Sequence, residues 1–275
     1  MTYITADDVR RASGAPTSLI TDALINSAIT IVEKEMERWM NTAFKPTLKI
    51  EHRDGNALPR LFTLKNPLLS VRALTLNTST SITPAYLNWE KQSGKIQLSV
   101  DAEAGNFITG QNNTFIKYLY GLLEDSTTRT TTTAASTAGT TVSLSVASIT
   151  GLADEDWVEI YGMDGNQEVA QISGDPAGTS IVVDQLVQAH ASESEVVKLQ
   201  IPYFVKRYME IEAAIYVAVY AIGGTYTFNT SYSLGELQVN KGEPYPQWRE
   251  VILRMINERK MRRETIKIRP SIMVD

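Results

Sequence analysis

Two histidines and one run of carboxylates are the residues whose types could do acid–base or metal chemistry. His52 and His190 are each isolated in sequence from other candidate ligands. An imidazole without such partners is more commonly a surface or turn residue than a metal ligand or proton-transfer group. The acidic run Asp154–Asp156 could hold a cation, but its spacing does not match an EF-hand loop. We interpret it as a solvated turn before a strand that begins at Trp157.

Motifs for nucleophilic catalysis and phosphate binding do not occur in this sequence. It contains no G-x-S-x-G nucleophile elbow, no P-loop pattern and no G-x-G-x-x-G fingerprint. Paired carboxylates of a glycosidase leave no sequence signature, and no pair stands out here. The absence of cysteine excludes disulfides and thiolate metal sites. We expect a protein that is not an enzyme and that uses no cofactor and no metal.

A basic stretch near the C-terminus could bind a partner. Between Arg249 and Arg269 basic residues outnumber acidic ones, although the whole chain has a net charge of −5. This stretch could form a patch for an acidic partner surface or for passing DNA phosphates. Basic residues also suit the end of a helix, where they interact favourably with its dipole. Both interpretations stay open, while the net charge argues against general nucleic-acid binding by the whole molecule.

The element that organises the rest of the chain is a long amphipathic helix, predicted over Thr17 to Phe44. Apolar residues recur along it at spacings of three and four, and Lys45-Pro46 ends it. A short helix over residues 5–13 precedes it and begins with a capping box. Two later helices are predicted over Tyr203–Ile222 and Pro246–Arg263.

Two groups of strands are predicted between the helices. Residues 46–120 contain short alternating apolar runs separated by turn signals, which predicts a small antiparallel sheet. Residues 140–200 repeat this pattern at near-regular spacing, which indicates a small barrel or sandwich. The Thr-rich segment Ser126 to Thr140 has too few apolar residues to pack, so we interpret it as a linker. The composition of Thr225 to Tyr245 predicts a mobile loop.

The predicted fold class is α+β. It consists of a small helical bundle of about four helices with a short antiparallel sheet, plus an inserted all-β small barrel or sandwich. The expected domains are a helical core formed by residues 1–125 and 201–263, an inserted β domain over 126–200 that includes the Thr-rich linker, and an extended tail over 264–275. Deletion of 126–200 is expected to leave a folded core. The tail alternates like an unpaired strand, which could add to another protein's sheet or pair within the chain.

The order of these parts resembles that of the head-to-tail connector, or adaptor, proteins of tailed bacteriophages. The capped helix, the Gly14–Pro16 turn and a long helix ending with Trp39 and Phe44 are similar to the start of that family. Asn66–Val71 resembles its x-Pro-Leu-x-Ser-Val segment. Asn113–Gly121 resembles its Asn-x-x-Val-x-Tyr-x-x-Gly portion. The resemblance covers roughly residues 1–121 and 202–265. The second β group, residues 140–200, departs from the family's plan.

The resemblance implies a structural virion protein of the neck. In this family the chains form a homo-oligomeric ring, commonly a dodecamer, beneath the portal, which extends the DNA channel and joins the capsid to the tail. The expected partners are therefore the portal protein, a tail, stopper or tail-terminator protein, and further copies of the chain. Packaged DNA passes through the channel without sequence-specific binding, and no membrane is involved. The expected location is the head–tail junction of the virion, after assembly in the host cytoplasm.

The alternative is another neck, tail-completion or baseplate protein whose β module binds a receptor or glycan. The adaptor interpretation carries three groups of contact residues. The portal-docking candidates in the C-terminal segment are Arg262, Arg263, Ile266, Lys267, Ile268, Arg269, Ile272 and Met273. The intersubunit packing candidates on the helices are Ile25, Ile29, Val32, Met36, Trp39, Tyr216 and Tyr220. The loop contact candidates are Tyr232, Leu234 and Leu237. No catalytic or metal-binding residue is predicted.

Overall fold

The computed structural model describes residues 3–13, 20–77, 79–99, 102, 104–163, 165–225, 231–234, 237–240, 254 and 256–262. Contacts divide the chain into two compact units. The first, called the helical unit, is assembled from the two ends of the chain, residues 1–40 and 202–273. The second, called the β unit, comprises residues 41–201.

The helical unit contains α1 (Ala6–Ser13), α2 (Asp22–Met40), α3 (Tyr203–Thr225) and the helical residues 254 and 256–262, here called α4. Both α1 and α2 pack against α3. A short hairpin of β14 (Ser231–Leu234) and β15 (Leu237–Asn240) also belongs to this unit. This hairpin corrects part of the predicted mobile loop, and the rest of that loop lies outside the described residues.

Local sequence signals account for the ends of the first two helices. The Thr5 hydroxyl accepts the Asp8 amide at 3.2 Å, and the Asp8 carboxylate accepts the Thr5 amide at 3.0 Å, which confirms the predicted capping box. Thr21 caps α2, because its hydroxyl accepts the Leu24 amide at 3.4 Å. Helix α2 ends before the predicted Lys45-Pro46 stop because Asn41 adopts a left-handed conformation with φ of 51°.

The first half of the β unit consists of two antiparallel sheets. A four-stranded sheet has the order β1-β7-β3-β4, and a three-stranded sheet has the order β2-β6-β5. The bounds of these strands are β1 Thr47–Gly55, β2 Arg60–Phe62, β3 Leu68–Leu76, β4 Thr80–Ile82, β5 Leu87–Glu90, β6 Lys95–Leu98 and β7 Gly110–Tyr120. Their shared core includes the fully buried Phe107, Ile116 and Tyr118.

The second half of the β unit also consists of antiparallel strands around its own core. A four-stranded sheet has the order β11-β10-β13-β8, and β12 pairs with β9. The bounds are β8 Glu124–Thr131, β9 Gly139–Ser145, β10 Trp157–Tyr161, β11 Gln167–Gln171, β12 Ser180–Leu186 and β13 Glu195–Gln200. Val158, Ile160, Ile181, Val183 and Val196 lie in this core and are fully buried.

A third buried cluster joins the two halves. Leu69 and Leu119 of the first half pack with Val169 and Leu199 of the second. Because the cluster takes side chains from both halves, neither half buries these residues alone. The contacts therefore group residues 46–120 with residues 126–200. The predicted domains instead grouped residues 46–120 with the helices and kept residues 126–200 separate.

The predicted fold class is wrong. The fold of the described residues is mostly β and is not a small helical bundle with an inserted barrel. The described residues form four helices, of which α2 with 19 residues and α3 with 23 residues are the long ones. The sheet predicted to be short instead contains strands of 9, 9 and 11 residues in β1, β3 and β7. Alternation indicated that strands exist, but their length depends on partners distant in sequence.

The interpretation of the Thr-rich segment as a linker is also wrong. Strand β8 pairs with β13, and Thr132 and Ser136 continue the pairing through single bridges to Val146 and His190. Threonine is β-branched and suits a pleated, half-buried surface, so a run of threonines is compatible with a strand. The prediction relied on the low apolar content of this segment. That content does not prevent a strand here, because the neighbouring strands supply the apolar residues of the core.

Candidate assembly surface

A groove on the helical unit lies between α2 and α3 and is here called the α2/α3 groove. Val32, Met36 and Trp39 of α2 line one side, and helical spacing places them on one face. Tyr208 of α3 lines the other side, with its ring centroid 5.8 Å from that of Trp39. The space between them measures about 220 Å³. Val32, Met36 and Tyr208 are at most 9% exposed in the single chain, so Trp39, at 39% exposed, is the apolar side chain of the groove that a second molecule could cover.

Two carboxylates complete the lining of the α2/α3 groove. Glu35 is exposed, and the described part of the chain provides no ion-pair partner for it. Glu212 is paired with Arg259 of α4, whose Nη1 lies 3.3 Å from Glu212 Oε1. Aromatic faces and a carboxylate both attract cations, so this groove suits a side chain that is basic or long and apolar.

Ion pairs hold α4 against α3. Arg207 of α3 donates from Nε to Glu258 Oε1 at 3.3 Å, and Arg262 Nη2 lies 2.9 Å from the same oxygen. Burial acts to raise the pKa of Glu258, but the hydrogen bond from Arg262 and the charge of Arg207 outweigh it and lower the pKa. Part of the basic C-terminal stretch is thus neutralised within the chain, while Arg254 and Lys260 are exposed.

Four of the predicted intersubunit residues pack inside the chain instead. Ile25, Ile29, Val32 and Met36 are only 1%, 1%, 3% and 2% exposed in the single chain. The prediction of intersubunit packing is corrected for these four, because side chains already removed from water gain almost no further burial from a neighbouring subunit. The amphipathic stripe was recognised correctly, but its width alone did not reveal how much of it α1 and α3 cover.

Two other candidates on the helices are accessible. Trp39 is 39% exposed and Tyr216 is 43% exposed, so a role in intersubunit packing stays a prediction for both. Ile31, which the sequence analysis did not select, is 37% exposed on the same helix as Trp39. Its spacing of eight residues from Trp39 places the two about 80° apart around α2. The side chain of Tyr220 lies outside the described residues.

The candidates near the C-terminus and in the loop are mostly outside the description. Of the portal-docking candidates, Arg262 is described, and it pairs with Glu258. The other portal-docking candidates, which lie outside the described residues, are Arg263, Ile266, Lys267, Ile268, Arg269, Ile272 and Met273. For the loop contact candidates Tyr232, Leu234 and Leu237, the structure gives the backbone pairing of the hairpin and no side chain.

One residue with potential for acid–base chemistry lies in the interior of the β unit. His190 Nε2 is 2.7 Å from Glu168 Oε1, and both side chains are completely buried. Glu168 also accepts the backbone amides of Val187 at 2.8 Å and Gln188 at 3.1 Å. The predicted surface or turn role of His190 is wrong, and the sequence did not reveal its buried partner because Glu168 lies 22 residues away. At full burial the pair satisfies a carboxylate inside the protein and offers no access to a substrate.

A second buried carboxylate lies where the two halves of the β unit meet. Glu159 is completely buried and accepts Lys91 Nζ at 2.9 Å and 2.8 Å through its two oxygens. The Tyr161 hydroxyl donates to the same carboxylate at 2.9 Å. Burial, followed by the charge of Glu159, raises the pKa of Tyr161. Since Lys91 belongs to the first half and Glu159 to the second, this ion pair ties the halves together.

The remaining candidates for chemistry have local roles. His52 is exposed, and its ring packs edge-on against Phe115 at 5.4 Å, in agreement with the predicted surface role. Asp154 accepts the Gly174 amide at 2.6 Å, and Asp156 pairs with Lys198 at 2.6 Å, so both carboxylates organise their turn. Across the described ranges, no group of three or more acidic or histidine side chains is arranged to hold a metal ion. Within the same ranges, no helix combines the length and apolarity needed to cross a membrane.

Comparison of the chain with models of protein families and with curated proteins finds no match in either case.

Proposed function

We propose that the chain is a structural virion protein, a head–tail adaptor that forms a ring beneath the portal, extends the DNA channel and joins the capsid to the tail. The observation that supports this most directly is the composition of the helical unit. Its helices come from the two ends of the chain, α1 and α2 from one end and α3 and α4 from the other. These are the helices that carry the resemblance to the adaptor family.

The accessible surface of the helical unit also supports an assembly role. Trp39, Tyr203, Tyr216 and Met261 are 39%, 67%, 43% and 63% exposed. Aromatic residues and methionine are enriched at protein–protein interfaces, where their large side chains are buried by the partner. A helical unit that exposes several such residues has surface available for other copies of the chain or for other neck proteins.

The charge of the chain is compatible with a DNA channel. The net charge of −5 disfavours general attraction to DNA. Weak attraction suits a channel through which packaged DNA passes. The proposed partners are the portal protein, a tail, stopper or tail-terminator protein, and further copies of the chain. We propose no enzymatic activity, and the location is the virion neck after assembly in the host cytoplasm.

Imaging the neck of virions tests this function. A phage defective in this chain should accumulate DNA-filled heads without tails, and supplying the full chain in trans should restore complete particles. Cryo-electron microscopy of the restored virions should show the helical unit in a ring below the portal. Complete virions whose neck lacks the chain would refute the proposal.

A further inference from the structure

The outer side of α4 is a second surface on the helical unit, and here it is called the α4 outer face. Arg254, Asn257, Lys260 and Met261 are all exposed, with Met261 at 63%. Asn257 lies three residues from Arg254 and from Lys260 and four from Met261, so the four side chains share one side of the helix. The opposite side holds the ion pairs to α3 described above. The α4 outer face therefore combines two cations with one large apolar side chain.

The α2/α3 groove is complementary to this face in charge and in the type of its side chains. Arg254 and Lys260 have no ion-pair partner within the described part of the chain, and the same is true of Glu35 in the groove. Arg259 already neutralises Glu212, so Glu35 is the carboxylate left for an incoming cation. Methionine sulfur makes favourable contacts with aromatic rings, and cations are attracted to ring faces.

The geometry points to a head-to-tail contact in which the α2/α3 groove of one copy receives the α4 outer face of a second copy. This inference rests on the proposed ring function and names the contact that would build the ring. A chain cannot fill its own groove in this way, because α4 is held to α3 by its opposite side. A contact between two different surfaces of the same chain is heterologous, so each added copy offers a new groove, and repetition closes into a ring when the rotation allows.

Cysteine cross-linking tests this contact directly, because the natural chain contains no cysteine. The full-length double variant Glu35→Cys/Lys260→Cys is purified at high concentration, oxidised and separated on a non-reducing gel. The expected result is a ladder of species larger than a dimer. A mixture of the two single variants should stop at the cross-linked dimer, because each chain then carries only half of the contact.

A matched control uses another exposed residue of α2. Asn26 lies nine residues from Glu35, on the opposite side of the helix, so Asn26→Cys/Lys260→Cys should remain monomeric. Circular dichroism establishes that each variant is folded. The inference is overturned if the Glu35 double variant stays monomeric, or if the control gives the same ladder. If the Glu35→Cys/Lys260→Cys variant gives no ladder but the chain still occupies the virion neck, only this contact is refuted. A ladder from a chain absent from the neck would refute only the proposed function.

Discussion

Replacement of Arg72 by alanine should strongly destabilise the β unit. Arg72 lies on β3 with a side chain only 3% exposed. Its Nη1 donates to the Gln185 carbonyl at 2.9 Å and its Nη2 to the Val169 carbonyl at 2.8 Å. Burial lowers the pKa of this guanidinium, whereas Asp184 and Glu168 act in the opposite direction. The side chain therefore connects the first half of the β unit to the second through buried polar contacts.

The expected loss follows from the two hydrogen bonds. A hydrogen bond to a charged group contributes about 1.5–3 kcal/mol, and Arg72→Ala removes two of them. It also leaves the Val169 carbonyl without this donor and the completely buried Glu168 without a nearby positive charge. We therefore expect the free energy of unfolding to fall by about 3–5 kcal/mol, the range for removal of one partner of a buried pair.

Urea unfolding monitored by circular dichroism measures this loss. Arg129→Ala is the matched control, because Arg129 belongs to the same unit but has a side chain 51% exposed and pairs with Glu195 at 2.9 Å. Exposed pairs contribute about 0–1 kcal/mol, so the control should unfold almost as the parent does. If Arg72→Ala and Arg129→Ala shift the midpoint equally, the proposed tie between the halves is incorrect.

Three further predictions test the packing and the charges. Deletion of residues 126–200 should reduce the stability and solubility of the remaining chain, because it uncovers Leu69 and Leu119 and removes the hydrogen-bond partners of Arg72. If the shortened chain unfolds at the same urea midpoint as the parent, the expectation of an independently folded core is correct after all. Met36→Ala should lower the free energy of unfolding by about 2–5 kcal/mol, since this side chain is 2% exposed. Ile31→Ala, at a site that is 37% exposed, should change it by less than about 1 kcal/mol. Equal losses in thermal unfolding would contradict the assignment of Met36 to the core. The pKa of Asp8 is lowered, because the hydrogen bonds from Thr5 and the charge of Lys206 outweigh the effect of burial. Since the folded pKa lies below the unfolded one, ionised Asp8 stabilises the chain above about pH 4, and this contribution disappears as the pH falls through the folded pKa. Asp8→Asn should therefore be less stable than the parent at neutral pH and nearly as stable near pH 2, and a constant difference would refute this assignment.

Several helical features could be predicted because their causes are local. The reciprocal cap of Thr5 and Asp8 joins residues three apart, and the structure contains both of its hydrogen bonds. The apolar stripe of α2 is equally local, since its spacing follows from the helical repeat. Its buried members were recognised as apolar, but their assignment to a neighbouring subunit was wrong because the sequence does not show that α3 covers them.

The β unit was predicted less well because its contacts join distant parts of the chain. Arg72 carries no sequence signal for a buried role, and its acceptors lie 97 and 113 residues away. His190 looked isolated because its side-chain partner Glu168 lies 22 residues away and forms no sequence motif with it. The α2/α3 groove likewise depends on α2 and α3, which are separated in sequence by the whole β unit.

The sequence by itself determined where most helices lie, how α1 begins and that strands fill the middle of the chain. These properties depend on spacing, capping and turn residues within a few positions of one another. Only the tertiary structure decided which strands pair, that parts of the Thr-rich segment belong to strands, and which apolar residues of α2 stay exposed. Those outcomes depend on the surface that distant segments supply, because burial is a property of the packed chain and not of a residue's own neighbourhood.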